Sequence, residues 1–303
     1  MLYVFFANSS TLIVSAGAVV PTLAIAMALA IGRFRRVRAE KPPQSEKLLR
    51  PPGYSTSRKL DDISDSLLET WLFATVSCVF AVLATNLEAS SWGNGASIWS
   101  SILNAGIAVL ATAAAFFFFF RVARLVPKAR SGRLRLRGEQ VVGQALVEVA
   151  DFGYRVFHDI QVGDNWNLDH VAVGPQGVFL IETKASTRHS SRPGHPAYEV
   201  HVNKNTLYFP TFSDSRVILQ ADRNAKWLAG YLEKKIGEPV PVAPLVVLPG
   251  WCVVYKAPPS TRVEVLSPNF MVNYLRDQSD TLTEPQILSI LTALDEKCRD
   301  VEF

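Results

Sequence analysis

Hydrophobic residues are distributed in two different ways along this chain. Before residue 121 they form long uninterrupted runs, and after residue 137 they recur at helical or strand spacing. Residues 11–31 (TLIVSAGAVVPTLAIAMALAI), 71–87 and 98–120 contain no Asp, Glu, Lys or Arg. Each run is close to the length that crosses a bilayer as a helix, roughly 17–25 residues. The pattern predicts three transmembrane helices. Residues 33–66 between the first two are polar and bracketed by Lys41-Pro-Pro and Arg50-Pro-Pro-Gly, which predicts a mobile linker. Asp61, Asp62 and Asp65 then predict a helix start, because acids in a first turn offset the positive end of the helix dipole.

From Gly138 onward the elements are short. Val141, Val142, Ala145, Leu146 and Val149 share one face of a helix over 139–150. Strands are predicted at 154–160, on both sides of a Gly174-Pro-Gln-Gly177 turn within 167–184, and near 198–202, 242–248 and 262–266. Helices are predicted over 214–235, 268–276 and 284–299. A polar loop spans 186–196. This order describes an α/β domain with a mixed sheet flanked by helices.

Charge supplies the sidedness of the membrane half. Residues 1–137 carry 16 basic and 7 acidic side chains, whereas residues 138–303 carry 15 and 20. The basic surplus flanks the apolar runs: Arg33, Arg35, Arg36 and Arg38 follow the first, and seven Arg or Lys between Arg121 and Arg137 follow the third. Basic flanks stay on the cytoplasmic side. The expected topology is therefore amino terminus out, residues 33–66 in, loop 88–97 out, and everything beyond 121 in. Residues 1–130 read as a cell-membrane anchor and residues 131–303 as a cytoplasmic domain. Cys78, Cys252 and Cys298 are too scattered for a disulfide framework or a zinc site. The apolar runs also lack the ionisable groups that mark a transport pathway.

Candidate chemistry lies in the 167–184 hairpin. A turn centred between Pro175 and Gln176 pairs Val171 with Leu180 and Asp169 with Glu182, which sets the two carboxylates side by side on one face. Lys184, two residues on, points to the same face. Adjacent acids need a cation between them, and hard oxygen donors suit Mg²⁺ or Mn²⁺. A lysine nearby can stabilise charge developing on a phosphate. A solvated ion pair at a strand end is the plainer alternative. Against it stands the apolar Val178-Phe-Leu-Ile181 run, since a strand of that kind is buried and unpaired charge there is expensive. Glu139 on the preceding helix is a candidate third acid.

Three blocks carry a family resemblance: Arg137-Gly-Glu-Gln-Val-Val-Gly, Asn167-Leu-Asp-His through Ile181-Glu-Thr-Lys184, and Leu219-Gln-Ala-Asp-Arg-Asn. Together they resemble the NERD (nuclease-related) domain of the PD-(D/E)XK nuclease superfamily, over about residues 135–250. The resemblance implies a nuclease-like mixed sheet flanked by helices, here preceded by three transmembrane helices. It implies that Asp169, Glu182 and Glu139 hold Mg²⁺ or Mn²⁺, with Lys184 and Gln220 completing the catalytic set. An early glycine of the family stands as Arg135 here, and the superfamily's proline before the aspartate stands as Leu168. The expected activity is metal-dependent hydrolysis of DNA or RNA beside the lipid bilayer. The alternative is a non-catalytic module that binds nucleic acid or a partner, which the acidic balance of residues 138–303 favours.

Overall fold

The computed structural model describes residues 47–91, 98–163, 166–187 and 196–301. The first predicted span, residues 11–31, lies outside them, as does loop 88–97 beyond Ser91. In chain order the elements are β1 (Leu48–Leu49), α1 (Tyr54–Ser91) and α2 (Ile98–Ala145), then a 3-10 turn (Glu148–Phe152). There follow β2 (Arg155–Gly163), β3 (Trp166–Gly174), β4 (Gly177–Thr183), β5 (Glu199–Asn203), β6 (Thr206–Tyr208), β7 (Ser213–Asp214) and α3 (Val217–Ile236). The chain continues through β8 (Val242–Val247), β9 (Cys252–Ala257), β10 (Glu264–Leu266), α4 (Pro268–Arg276), α5 (Glu284–Cys298) and β11 (Arg299–Val301).

The described chain divides into two compact units, one formed by residues 61–130 and one by residues 47–60 with 131–301. In the first unit the second and third predicted spans are both helical, within α1 and α2. Among the described residues one helix, 48 residues long, is long and apolar enough to cross a membrane. Its most apolar stretch has a mean hydropathy of 2.0 and is not buried by protein.

The second unit is built on a five-stranded mixed sheet in the order β10-β8-β4-β3-β2, antiparallel across β2, β3 and β4 and parallel from β4 to β8 and β10. Every residue of the central strand β4 is buried. Its continuous apolar run suits a strand covered on both faces. One face packs Val171, Val173, Val178 and Leu180 against Ala225, Leu228 and Leu232 of α3 and Ile290 and Leu294 of α5. The other packs Ala172, Phe179 and Ile181 against Val142 and Leu146 of α2 and Met271 and Leu275 of α4. Each fully buried side chain of this size contributes roughly 1.5–3 kcal/mol. A smaller sheet, β7-β6-β5-β9, packs with Ile218 and Ala221 of α3 on the Val246–Leu248 and Val263–Val265 edge of the larger one.

The β3–β4 register is the one read from the turn: Gly174 pairs with Gly177, Val171 with Leu180 and His170 with Ile181. Gly177 has φ 140°, which L side chains rarely adopt. Helices α3, α4 and α5 begin and end within three residues of expectation. Their signals are local: Gly237 in a left-handed conformation after α3, Pro268 opening α4, and a Thr283–Gln286 capping box opening α5.

Two expectations need correction. The predicted helix over 139–150 is instead the last stretch of α2, ending at Ala145 before the separate turn Glu148–Phe152. In place of a linker up to residue 66, residues 47–60 are an ordered part of the second unit. Leu48 and Leu49 pair with β11, and the Arg50 guanidinium donates to the Asp159 carbonyl and to Gln161, both at 2.8 Å. Helix α1 starts at Tyr54, seven residues before the Asp61 signal. The carboxylate that receives its first-turn donors comes from across the fold: Asp159 accepts from the Ser55 amide and, at 2.7 Å, from the Ser55 hydroxyl. A helix amino terminus needs such acceptors, and a non-local one leaves no trace in neighbouring sequence.

Candidate active site

Strands β3 and β4 end where helices from opposite faces of the sheet come together, and the polar residues predicted from the hairpin collect there. The paired ladder stops at His170 and Ile181. One step beyond, the Thr183 amide donates to Asp169 Oδ2 at 2.9 Å in place of a backbone carbonyl. Asp169 is thereby held by the strand that carries Glu182. Beyond Thr183 the backbone stays in line, because the Lys184 amide donates to the Val247 carbonyl.

Glu139 arrives from α2. A Cβ on Gly138 would lie 2.6 Å from the Ala185 Cβ, so only glycine lets the helix approach the end of β4 this closely. The neighbouring Glu139 is consequently carried into the interior, with a side chain 1% exposed. Thr56 of α1 donates to its Oε1 at 3.1 Å. Arg135, one turn earlier on α2, spans the gap between acids: its Nε donates to Glu139 Oε1 at 2.7 Å and a terminal nitrogen donates to Asp169 Oδ1 at 3.2 Å.

Glu182 is held from α3. Gln220 donates to Oε2 at 3.3 Å, and Asn224, one turn further, donates to Oε1 at 2.6 Å. The Trp166 indole N–H donates to the other end of the Asn224 amide at 3.0 Å, which leaves the amide nitrogen to face the carboxylate. Lys184 reaches Asp214 at 2.5 Å. Asp214 in turn accepts from the Arg216 amide at the start of α3.

Asp169, Glu182, Lys184 and Gln220 line one cavity of about 320 Å³, with Arg135, Asp214 and Arg216 around them. Glu139 lies outside that lining and communicates with it through Arg135. A larger groove of about 670 Å³ runs between β2 and α5, but it gathers none of these groups.

Burial sets the electrostatics. It pushes Glu182 up to about 8, with the Asp169 charge adding to the shift. It pushes Glu139 up to about 7, again with Asp169 adding and Arg135 opposing. Asp169 is raised by burial too, against the Arg135 guanidinium and the Thr183 amide. Burial would also raise Asp214, but the Lys184 ammonium and the Arg216 amide hold it below the usual carboxylate range. Three buried acids facing one guanidinium leave an excess of negative charge that a proton or another cation must relieve.

Among the described residues no three His, Cys, Asp or Glu side chains close around a common point as metal ligands do. The Asp169 and Glu182 carboxylates nonetheless fit a divalent ion. They are hard, nearly buried oxygen donors, the Asp169 charge raises the proton affinity of Glu182, and Mg²⁺ commonly takes only one or two carboxylates and keeps several waters.

Sequence reasoning brought Asp169, Glu182, Lys184 and Gln220 together and missed Asn224, Asp214 and Thr56. Asn224 had a readable signal, since it stands at i+4 from Gln220 on the same helical face. Asp214 and Thr56 had none. His158 and His170 bond to each other at 2.8 Å. His189 and His195 fall outside the described residues.

No curated protein and no solved structure matches the chain. Residues 134–249, which contain Glu139, Asp169, Glu182, Lys184 and Gln220, match the model of the nuclease-related domain family, NERD.

Proposed function

We propose that the domain formed by residues 131–303 is a Mg²⁺- or Mn²⁺-dependent phosphodiesterase acting on DNA or RNA, tethered to the cell membrane by residues 1–130 and facing the cytoplasm. The observation that carries this reading is the convergence of Asp169, Glu182 and Lys184 in one cavity on a nuclease-related domain. The bound ion would supply Lewis acidity and a water of lowered pKa. Asp169 and Glu182 hold it. Gln220 and Asn224 fix the orientation of Glu182, and the Thr183 amide fixes Asp169. Lys184 is positioned to stabilise charge on the phosphate once Asp214 releases it, and Glu139 orients groups behind Asp169. Three apolar runs and their basic flanks support the tether, and among the described residues α2 is long and apolar enough to cross a membrane.

A second reading is a binding module without catalysis. It is favoured by the internal pairing of the site, in which Asp214 neutralises Lys184 and Arg135 bridges Asp169 and Glu139. One assay separates the two. The full chain in detergent is incubated with single- and double-stranded DNA and RNA, with Mg²⁺ or with chelator. Metal-dependent cleavage that disappears in Glu182→Gln is the expected result. Nucleic-acid binding without cleavage under every metal condition would establish the module instead.

A further inference from the structure

The acids of the candidate site already have a cation among them, and it belongs to the chain. Arg135 is shared between two carboxylates, one four residues on along its own helix and one on a strand 34 residues away in sequence. The bridge is asymmetric in one respect. The Glu139 and Asp169 side chains are 1% and 2% exposed, whereas the Arg135 side chain is 50% exposed. The acids are anchored by Thr56 and by the Thr183 amide, so the partner able to leave is the arginine. Its guanidinium lines the cavity shared with Asp169 and Glu182, and its stem lies on α2 at the edge of that cavity. A long arginine side chain can move into solvent without disturbing the backbone that carries it.

The guanidinium also sits on an oxygen that an incoming ion would have to share with it. Its terminal nitrogen occupies Asp169 Oδ1 while Oδ2 is held by the Thr183 amide, so the carboxylate has no unengaged oxygen. A divalent ion and a guanidinium at neighbouring carboxylate oxygens repel strongly at this degree of burial.

We infer that Arg135 is an exchangeable counter-ion of the candidate site, bridging Asp169 and Glu139 in the metal-free protein and giving way when a divalent cation binds. The inference rests on the reading that Asp169 and Glu182 hold such a cation. Arg135 in this role keeps the metal-free domain folded by neutralising buried acids, and it lowers apparent metal affinity by the work of its own displacement. Metal loading then becomes a choice between two states of one side chain.

The test is calorimetric titration of Mg²⁺ into the full chain in detergent at pH 8.5, above the values to which burial raises Glu139 and Glu182, together with thermal melts with and without Mg²⁺. Arg135→Gln is expected to bind Mg²⁺ at least about tenfold more tightly than wild type, equivalent to about 1.4 kcal/mol. Its metal-free melting midpoint should fall, and Mg²⁺ should restore most of the loss. Arg135→Lys keeps the charge but cannot grip both acids, and its affinity should lie between the two. If Arg135→Gln does not fold, the lysine variant decides, and an affinity equal to wild type overturns the inference. Equal or weaker binding by a folded Arg135→Gln, with binding abolished in Asp169→Asn, overturns it and leaves the metal reading standing. No Mg²⁺ binding by wild type or either arginine variant overturns both together.

Discussion

Asp169 and His170 are neighbours on β3 and both are buried, yet strand alternation sends them to opposite sides of the sheet. On the His170 side the partner is His158, directly across the β2–β3 pair, with the two Nδ1 atoms 2.8 Å apart. Burial pushes His158 down to about 4 and His170 well below its usual value. Both rings are therefore neutral at physiological pH, and one donates while the other accepts. Around Asp169 the same burial raises Glu139, Glu182 and Asp169 itself. Desolvation favours the neutral form on both sides of the strand. The imidazoles reach neutrality by losing protons and then pair through their Nδ1 atoms, with His170 Nε2 left buried without a partner. The carboxylates can only gain protons or recruit a cation, and Arg135 supplies one charge for three acids. One side of the strand settles as a neutral pair and the other retains a demand for positive charge.

The largest effect that would break this contrast is on cleavage. Asp169→Asn and Glu182→Gln should each lower metal-dependent cleavage by about 10³-fold or more, measured on purified full chain with labelled oligonucleotides, because each removes a proposed ligand. Lys184→Ala should cost about 10²–10³-fold, as removal of a charge-stabilising donor does. Asn224→Ala touches the site only through Glu182, and a loss of about 10–100-fold is expected. By contrast His170→Leu should leave turnover per folded molecule within about twofold. A large loss there would mean that the histidine side belongs to the site after all.

The two sides also carry opposite pH dependences. His158 and His170 bind protons more readily unfolded than folded. The stability they contribute is complete above their usual value of 6.5 and is lost as pH falls towards 4. Glu139 and Glu182 bind protons more tightly folded. Their contribution is complete below 4.5 and is lost as pH rises through about 7 and about 8. Denaturation followed from pH 4 to pH 9 without metal should show both limbs. Glu182→Gln should flatten the alkaline limb by a few kcal/mol and leave the acid limb alone. An unaltered alkaline limb in that variant would contradict the burial of an ionising carboxyl.

The smallest expected effect concerns the histidine pair itself. His170→Leu leaves the part-buried His158 nitrogen without its partner and should cost about 1–3 kcal/mol in chemical denaturation. Replacing both histidines by leucine should cost less than the single change, because no orphan remains. A double variant weaker than the single one would show that the pair does more than satisfy itself.

Much of the framework was legible because its determinants are local. The Gly174–Gly177 turn and the alternation on either side of it set the register, paired as far as His170 and Ile181, that carries Asp169 and Glu182 to the end of the ladder. Capping residues and glycines delimited α3, α4 and α5 within a few residues. Strands β6, β7 and β9 escaped notice, being short or largely exposed, with no clear alternation to read. The start of α1 was misplaced because its acceptor, Asp159, lies more than 100 residues away in sequence.

What the sequence determined by itself was therefore the set of elements with local stop and start signals, the apolar runs, and the hairpin that aligns two acids and a lysine. The tertiary structure decided how those acids are neutralised. Arg135 reaches Asp169 across 34 residues, Asn224 reaches Glu182 across 42, and Thr56 reaches Glu139 across 83. Partners of this kind are chosen by the packing of whole elements, since a buried charge accepts whichever donor the fold brings within hydrogen-bonding distance. Residue spacing along the chain carries no record of that choice.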